Sequence, residues 1–195
     1  MSERDSTRDD DRLVFSDEPA AAESRPVGYW KVLVVDDDRS VHAVTRMILA
    51  DFEFAGKGLA ILGAHTVDEA RTAIDENPDL ALVLLDVVMA EEDSGLKLVR
   101  YIREDRGNRM TRIVLRTGQP GQAPERRVIV DYDINDYKLK TELTADKLFA
   151  TIVAALRSYQ DLLSLDHNRR GLERIIESAA SLFKLQSFNE FVSGV

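Results

Sequence analysis

Apolar residues between positions 31 and 159 follow two alternating patterns, which predict alternating strands and helices. Four short and mainly apolar runs predict buried β-strands, because the inner strands of a parallel sheet lack polar alternation. These runs cover residues 32–35, 59–65, 80–85 and 112–116, and the short segment 135–139, "NDYKL", is predicted as a fifth strand. Between them, apolar residues recur every three or four positions, the spacing of one helix face. The helical segments cover residues 41–49, 66–76, 94–105, 124–132 and 144–163.

Local signals mark where several of these helices begin. Thr66 and Glu69 have the spacing of a capping box, and Asp38 precedes the first helical segment as an N-cap residue would. Pro124 stands where proline is favoured in the first turn of a helix. Strands that alternate with helices predict an α/β domain, with a parallel sheet covered by helices on both faces.

Charged or hydroxyl-bearing side chains follow four of the five predicted strands. In open α/β sheets the ligand site lies outside the carboxyl ends of the strands, so we expect these side chains to lie together. They are Asp36, Asp37 and Asp38 after the first strand, Asp86 after the third, Thr117 after the fourth and Lys140 after the fifth. One helix cap does not require three aspartates, and it does not explain Asp86. Carboxylates crowded together are instead typical of a site for a hard divalent cation such as Mg²⁺.

The composition narrows the functional classes. The formal net charge is −9, which disfavours binding to nucleic acid or to an anionic membrane surface. The absence of cysteine excludes disulfides, thiolate catalysis and zinc held by cysteine. No stretch approaches the roughly 20 apolar residues of a membrane-spanning helix, and the first residues lack the apolar core of a signal peptide. We therefore expect a cytoplasmic protein.

The motifs around the strand ends resemble those of the receiver domain of two-component response regulators, over residues 31–159. They are "VVDD" with Asp36 and Asp37, "LLDVVM" with Asp86, "LRTG" with Thr117 and "DYKLK" with Lys140. The resemblance implies a flavodoxin-like, doubly wound, five-stranded parallel sheet in the order 2-1-3-4-5. It also implies that Asp86 is the phosphoacceptor, that Thr117 and Lys140 bind the phosphoryl group, and that Thr117 and Tyr137 form the switch.

The same resemblance implies a cofactor and a partner. Mg²⁺ is expected to be held by Asp37, Asp86 and the backbone carbonyl of Val88, with Asp36 acting through a water molecule. A sensor histidine kinase or a histidine phosphotransfer protein is expected to supply the phosphoryl group. The chain would then catalyse its own phosphorylation and dephosphorylation, and no motif of an independent enzymatic domain is present in these residues.

Three departures from the usual receiver pattern stand out. Ala90 replaces the common proline after the phosphoacceptor segment, Thr141 replaces the proline after Lys140, and "RTGQPGQAPE" replaces the common loop after the fourth strand. These strings resemble a receiver subgroup that is fused to further sensory and output domains. In some relatives the output is an HD-type phosphohydrolase acting on a cyclic dinucleotide.

Two other functions stay open from the sequence. A receiver fold can serve only as a protein–protein interaction module, without phosphorylation. A phosphoaspartate-type hydrolase also uses an aspartate after a first strand, although its Asp-x-Asp and Gly-Thr motif is missing after Val35. Stable labelling of Asp86 separates a switch from a module, and turnover of an external phosphate ester would indicate a hydrolase.

We predict three segments along the chain. Residues 1–28 form a disordered acidic segment, residues 29–160 the receiver domain, and residues 161–195 a helical linker with the start of a following domain that resembles a GAF module. The capping-box spacing at residues 187–190 predicts that a new helix begins there. Leucines and isoleucines beyond residue 160 predict an extended helical arm that pairs with a second copy, making a homodimer. The alternative is that this segment folds back on the receiver.

Overall fold

The computed structural model of the chain describes residues 27–89, 94–118, 126–142 and 144–193. Side chains of the last helix are described as far as residue 178. Most of the predicted disordered segment, residues 1–28, lies outside the described residues and stays a prediction. The same holds for Ala90, Pro124 and most of the unusual loop after the fourth strand.

Five strands and five α-helices alternate along the chain, as the apolar pattern predicts. The strands are β1 (Tyr29–Val35), β2 (Gly58–Ala64), β3 (Leu82–Asp86), β4 (Arg112–Thr117) and β5 (Asp136–Leu139). The helices are α1 (Arg39–Ile48), α2 (Val67–Glu76), α3 (Ser94–Arg100), α4 (Arg126–Asp131) and α5 (Ala145–Ser193). A π-helical turn (Tyr101–Asp105) follows α3, and a 3₁₀ turn (Lys140–Glu142) follows β5.

All strand pairs are parallel, and the sheet has the order β2-β1-β3-β4-β5. The predicted flavodoxin-like, doubly wound fold is therefore confirmed. The chain passes from β1 to β2 at one side and then crosses to β3 on the other side of β1. This reversal puts the carboxyl ends of β1 and β3 next to each other, which is where such sheets bind ligands.

Alternate residues of the central strands face two separate hydrophobic layers. Leu33, Val35, Val83 and Leu85 belong to one layer, which α2 and α3 cover. Their sequence neighbours belong to the other layer, which is closed largely by α5: Val32, Val34, Leu82 and Leu84. Both layers are hydrophobic, which is why residues 32–35 and 82–85 are apolar at every position up to the point where the site begins.

Two of the predicted helix caps are formed. Asp38 accepts a hydrogen bond from the Ser40 amide at 2.8 Å and caps α1. Thr66 accepts one from the Glu69 amide at 3.2 Å and caps α2. The Glu69 carboxylate reaches back to the amide of His65, one residue before the cap, at 2.7 Å. Each cap depends on residues two to four positions apart, which is why the sequence predicts it.

The last helix corrects one prediction. α5 continues without a break from Ala145 to Ser193, so the helix start predicted at residues 187–190 is wrong. A capping box needs a preceding break, and residues 172–193 contain neither glycine nor proline to produce one. At 1.5 Å per residue the helix is about 74 Å long. None of the helices in the described part of the chain has the length and apolar character needed to cross a membrane.

The receiver uses only the first part of α5. Leu148, Ile152, Leu156 and Tyr159 are buried against the sheet. Beyond them, exposed apolar side chains continue along the helix: Leu163, Leu165, Leu172, Ile175 and Ile176. The described part of this segment does not fold back on the receiver, contrary to the alternative interpretation. We refer to residues 160–193 as the arm.

Candidate functional site

Three aspartates converge at the carboxyl ends of β1 and β3. Asp36 and Asp37 directly follow β1, and Asp86 is the last residue of β3. One carboxylate oxygen of each lies within 4.8 Å of the others. Asp36 and Asp86 are buried, whereas Asp37 is exposed to solvent. The cluster predicted from the strand ends is therefore formed, and it is open on the Asp37 side.

Strand register explains why Asp36 and Asp86 meet. Val35 pairs with Leu85, so the residues that follow them are also neighbours. Side chains alternate between the faces of a sheet, so Asp36 and Asp86 point to the same side as Val34 and Leu84. The two carboxylates thus lie on the face of the sheet that α5 covers, next to its apolar layer and closer to the carboxyl ends of the strands.

Lys140 bridges the two buried carboxylates. Its Nζ lies 2.9 Å from Asp36 Oδ2 and 2.7 Å from Asp86 Oδ2. Burial raises the pKa of the Asp86 carboxyl, and the hydrogen bonds from Lys140 and the Val88 amide offset only part of this rise. Burial of Lys140 favours its neutral form, but its bonds to Asp86 and Asp36 outweigh that effect and raise its pKa. The ammonium is therefore held charged between the carboxylates.

Backbone groups fix the orientation of the carboxylates. The Val88 amide donates to Asp86 Oδ1 at 3.2 Å, and the Asp38 amide donates to Asp36 Oδ1 at 3.1 Å. His42 Nε2 donates to the backbone carbonyl of Asp36 at 2.7 Å, which ties α1 to the end of β1. His42 was not predicted to belong to the site, and its position in α1, four residues after the Asp38 cap, is the local signal for this contact.

Thr117 and Tyr137 lie on the other face of the sheet. Thr117 ends β4, is buried, and pairs in register with Leu139, the residue before Lys140. Tyr137 pairs with Leu115, two residues before Thr117, so Thr117 and Tyr137 share one face. The Tyr137 hydroxyl is buried and has no hydrogen-bond partner among the residues that the structure describes. The predicted switch residues are thus on adjacent strands at the site, with the Tyr137 ring turned inward.

The structure adds one residue that the sequence analysis overlooked. Arg116 is buried, and its Nη2 lies 3.4 Å from Asp36 Oδ2. Burial lowers the pKa of this guanidinium, and the carboxylates of Asp36 and Asp86 counteract the change. Arg116 pairs in register with Asp86, so strand alternation was the signal that could have placed it at the cluster.

The donor set suits a hard divalent cation. Mg²⁺ prefers carboxylate, carbonyl and water oxygens in octahedral geometry, and it keeps several waters when it binds to proteins. Three carboxylate oxygens lie close together, and the exposed Asp37 leaves room for water on one side. The cluster therefore fits the Mg²⁺ site that the resemblance to receiver domains implies.

Comparison with known proteins divides the chain into two parts. The family described as "Response regulator receiver domain" matches residues 32–153. Residues 152–195 match a second family, described as "Domain of unknown function (DUF3369)". The second match begins within α5, so the arm and the last turns of the receiver helix belong to it.

One curated relative and two solved structures are similar to large parts of this chain. The 3'3'-cGAMP-specific phosphodiesterase 2 of Vibrio cholerae serotype O1 is 46% identical over 166 residues, which cover 85% of this chain and 32% of that protein. The chain thus spans about a third of the relative's length. A receiver domain protein from Clostridium thermocellum is 22% identical with a TM-score of 0.57, covering 68% of this chain and 98% of that one.

The second structure is the signal receiver domain of an HD domain-containing protein from Pseudomonas fluorescens Pf-5. It is 18% identical with a TM-score of 0.57, again covering 68% of this chain and 98% of that chain. At these identities the structural likeness establishes the fold, while the family match over residues 32–153 establishes the family. The chain belongs to the response regulator receiver domain family.

Proposed function

We propose that this receiver accepts a phosphoryl group on Asp86 from a histidine kinase or histidine phosphotransfer protein, and thereby switches an attached output region. The observation that carries the proposal is the convergence of Asp36, Asp37 and Asp86 around Lys140 at the carboxyl edge of the sheet. Four residues from three separated strand ends meet there. A purely structural ion pair needs only two of them.

Each residue has a distinct role in the proposed transfer. An oxygen of the ionised Asp86 attacks the phosphorus of the phosphohistidine, the P–N bond breaks, and the imidazole leaves with the electron pair. Mg²⁺, held by Asp37, Asp86 and the Val88 carbonyl and through water by Asp36, would neutralise charge on the transferring oxygens. Lys140 turns from the carboxylates to a phosphoryl oxygen, and Thr117 donates its hydroxyl to another.

The output follows from the positions of Thr117 and Tyr137. Movement of Thr117 toward the phosphoryl group opens space on the face that it shares with Tyr137. The buried hydroxyl of Tyr137 has no partner in the part of the chain that the structure describes, which makes its inward position costly in the unphosphorylated form. A nearby change of packing can therefore shift the population of its rotamers. The charge that phosphorylation adds at Asp86 thus alters the packing on the β4–β5 side of the domain.

Phosphorylation with a small-molecule phosphodonor tests the assignment. The chain is incubated with acetyl phosphate and Mg²⁺, and the modified residue is mapped by mass spectrometry. We expect Mg²⁺-dependent labelling of Asp86 and its loss in Asp86→Asn. Asp79→Asn is the matched control, because Asp79 pairs with Lys31 at the opposite edge of the sheet. Labelling of Asp86→Asn as strong as that of the parent would refute the assignment.

The same experiment separates the alternatives. No labelling of the folded parent at any Mg²⁺ concentration would favour a pure interaction module. Continuous release of phosphate from an external ester, without a stable adduct on Asp86, would favour a hydrolase. The buried position of Asp86 beside a charged lysine supports a phosphoacceptor over both.

The relative suggests what the arm is attached to. We propose that residues 29–160 are the receiver, that residues 161–195 begin a following GAF-like domain, and that the whole protein acts on a cyclic dinucleotide such as 3'3'-cGAMP. The receiver would then regulate a phosphodiesterase through the arm. Hydrolysis of 3'3'-cGAMP by the whole protein, measured with and without acetyl phosphate, tests this; equal rates would contradict it.

The exposed arm supports a homodimer. Leu165, Leu172, Ile175 and Ile176 each expose more than 60% of their surface. Burying such a side chain contributes about 1.5–3 kcal/mol, whereas Gly171 costs a solvated helix about 1 kcal/mol. Helices without tertiary support are marginal in water, so a second copy packed against this stripe explains how the arm persists.

Sedimentation of single variants tests the dimer. Leu172→Glu places a charge in the apolar stripe, and Arg174→Glu is the matched control two positions away. We expect Leu172→Glu to be monomeric at concentrations where the parent and Arg174→Glu are dimers. A parent that remains monomeric at high micromolar concentration would rule out the arm as a dimerisation element.

A further inference from the structure

An arginine lies in the sheet layer that carries the carboxylates. Arg116 is the register partner of Asp86 and follows Val114 by two residues, so all three point to the face covered by α5. The layer directly below is apolar, with Leu84 and Val114 in contact with the helix layer. Arg116 is nevertheless only 3% exposed, and its charge is therefore almost fully removed from water.

Among the residues that the structure describes, Arg116 has few polar contacts for a buried arginine. Its Nη2 lies 3.4 Å from Asp36 Oδ2, and its Nε is buried without a hydrogen-bond partner among the described residues. A guanidinium has five N–H donors, and a buried donor without a partner is costly. A valine or leucine would pack at this position without that cost, as Val114 does one layer below.

The two cations of the site differ in their exposure to solvent. The Lys140 side chain is 25% exposed and reaches the carboxylates on a flexible stem, whereas the Arg116 side chain is only 4% exposed. In the proposed transfer Lys140 turns away from Asp36 to a phosphoryl oxygen. A buried carboxylate that loses its counter-ion is strongly destabilised, and Mg²⁺ would reach Asp36 only through water, so Asp36 needs a second cation in direct contact at that moment.

We propose that Arg116 is the fixed counter-ion of Asp36: a positioning residue that retains Asp36 when Lys140 moves, and that lowers the affinity of the acidic site for divalent cation. This inference rests on the proposed Mg²⁺ site. With Arg116 present, two cations face the three carboxylates before any metal binds. Its positive charge repels an incoming divalent cation, and in a poorly solvated site this repulsion is only partly screened.

The sign of the effect separates this role from a structural one. Damage to the packing of the site weakens metal binding, whereas removal of a repelling charge strengthens it. Arg116→Met keeps much of the side-chain length and removes the charge. We expect it to bind Mg²⁺ at least about tenfold more tightly than the parent in isothermal titration calorimetry. Arg116→Lys, which keeps a positive charge, is expected to restore the parent affinity.

Arg112 provides the matched control. It lies four residues earlier on the same strand and face, is also buried, and pairs with Asp133 instead of the carboxylate cluster. Arg112→Met therefore removes an equally buried arginine and is expected to leave Mg²⁺ affinity unchanged. Unchanged or weaker Mg²⁺ binding by Arg116→Met overturns the proposal, and so does an Arg116→Lys variant that binds as tightly as Arg116→Met.

Two further measurements keep the outcomes distinct. If the parent itself binds no Mg²⁺, the metal site of the proposed function fails, whereas parent binding with an unaltered Arg116→Met refutes only the role of Arg116. The Arg116→Met variant could fail to fold in the absence of metal. Thermal unfolding of Arg116→Met and of Arg116→Gln, each measured with and without Mg²⁺, tests for this case. Folding restored by Mg²⁺ supports the counter-ion role, and loss of folding that Mg²⁺ does not restore in either variant overturns it.

Discussion

The substitution Gly95→Ala tests the close approach between α3 and the end of β3. Gly95 lies at the start of α3, and a Cβ atom there would be 2.9 Å from Val87 Cα and 3.0 Å from the Val87 carbonyl oxygen. It would lie closer still to the Asp86 carbonyl oxygen. Hydrogen is the largest group that fits here, because all three neighbours are backbone atoms that cannot rotate away.

The size of the effect follows from two opposing contributions. Carbon atoms pack at about 3.5–4.0 Å, so the alanine requires a separation of at least ~0.6 Å between α3 and the β3 end. Forcing such a shift in a packed region costs about 1–3 kcal/mol. Alanine regains at most about 1 kcal/mol of helix propensity. All three close approaches are to backbone atoms, so the cost lies in the upper part of this range, about 2–3 kcal/mol, and we expect the free energy of unfolding to fall by about 1–2 kcal/mol.

Urea unfolding followed by circular dichroism measures this change, and Gly171→Ala is the matched control. Gly171 also lies in a helix, but a Cβ there would meet no atom within 4 Å. Gly171→Ala is expected to leave the stability of the receiver unchanged and to raise the helix content of the arm. A Gly95→Ala variant as stable as the parent would refute the geometry, since helix propensity alone predicts stabilisation.

Three further predictions concern other parts of the domain. The hydrogen bond from the Tyr101 hydroxyl lowers the pKa of Asp75. The ionised carboxylate therefore stabilises the fold at pH values above the pKa of Asp75 in the unfolded chain, about 4, and this contribution is lost as the pH falls. Asp75→Asn should thus unfold at lower urea than the parent at pH 7 and at equal urea near pH 3; a gap that persists in acid contradicts this. Arg103 donates to three backbone carbonyls, and burial lowers its pKa to about 10. Arg103→Met should therefore lower the free energy of unfolding in urea by about 3 kcal/mol, whereas the control Arg109→Met, at an exposed position, should lower it by less than ~0.5 kcal/mol. Val88 cannot orient an attacking water, so Val88→Asn should shorten the lifetime of the phosphorylated form measured by intact-mass spectrometry, and equal or slower decay would count against it.

The features that the sequence predicts are those decided by nearby residues or by a general rule of topology. The apolar runs are long enough to identify the first four strands, and the caps at Asp38 and Thr66 need only residues within one helical turn. The convergence of Asp36 and Asp86 follows from the rule that ligand sites form at the carboxyl edge of a parallel sheet. Local patterns fail at residues 187–190, where a cap signal lies in a helix that nothing before it interrupts.

The tertiary structure decided the contacts between residues that are distant in the sequence. Arg116 and Asp36 are 80 residues apart, and Lys140 and Asp36 are 104 apart, so their distances depend on strand order and on register across the sheet. A one-residue change of register would turn Arg116 away from the carboxylates and toward the opposite face. The close approach of Gly95 to Asp86 likewise depends on how α3 packs on the sheet. The sequence by itself determined which elements form and which residues lie at their ends. Only packing across the sheet decided which charged side chains are buried together, because a charge is stabilised or destabilised by its neighbours in space.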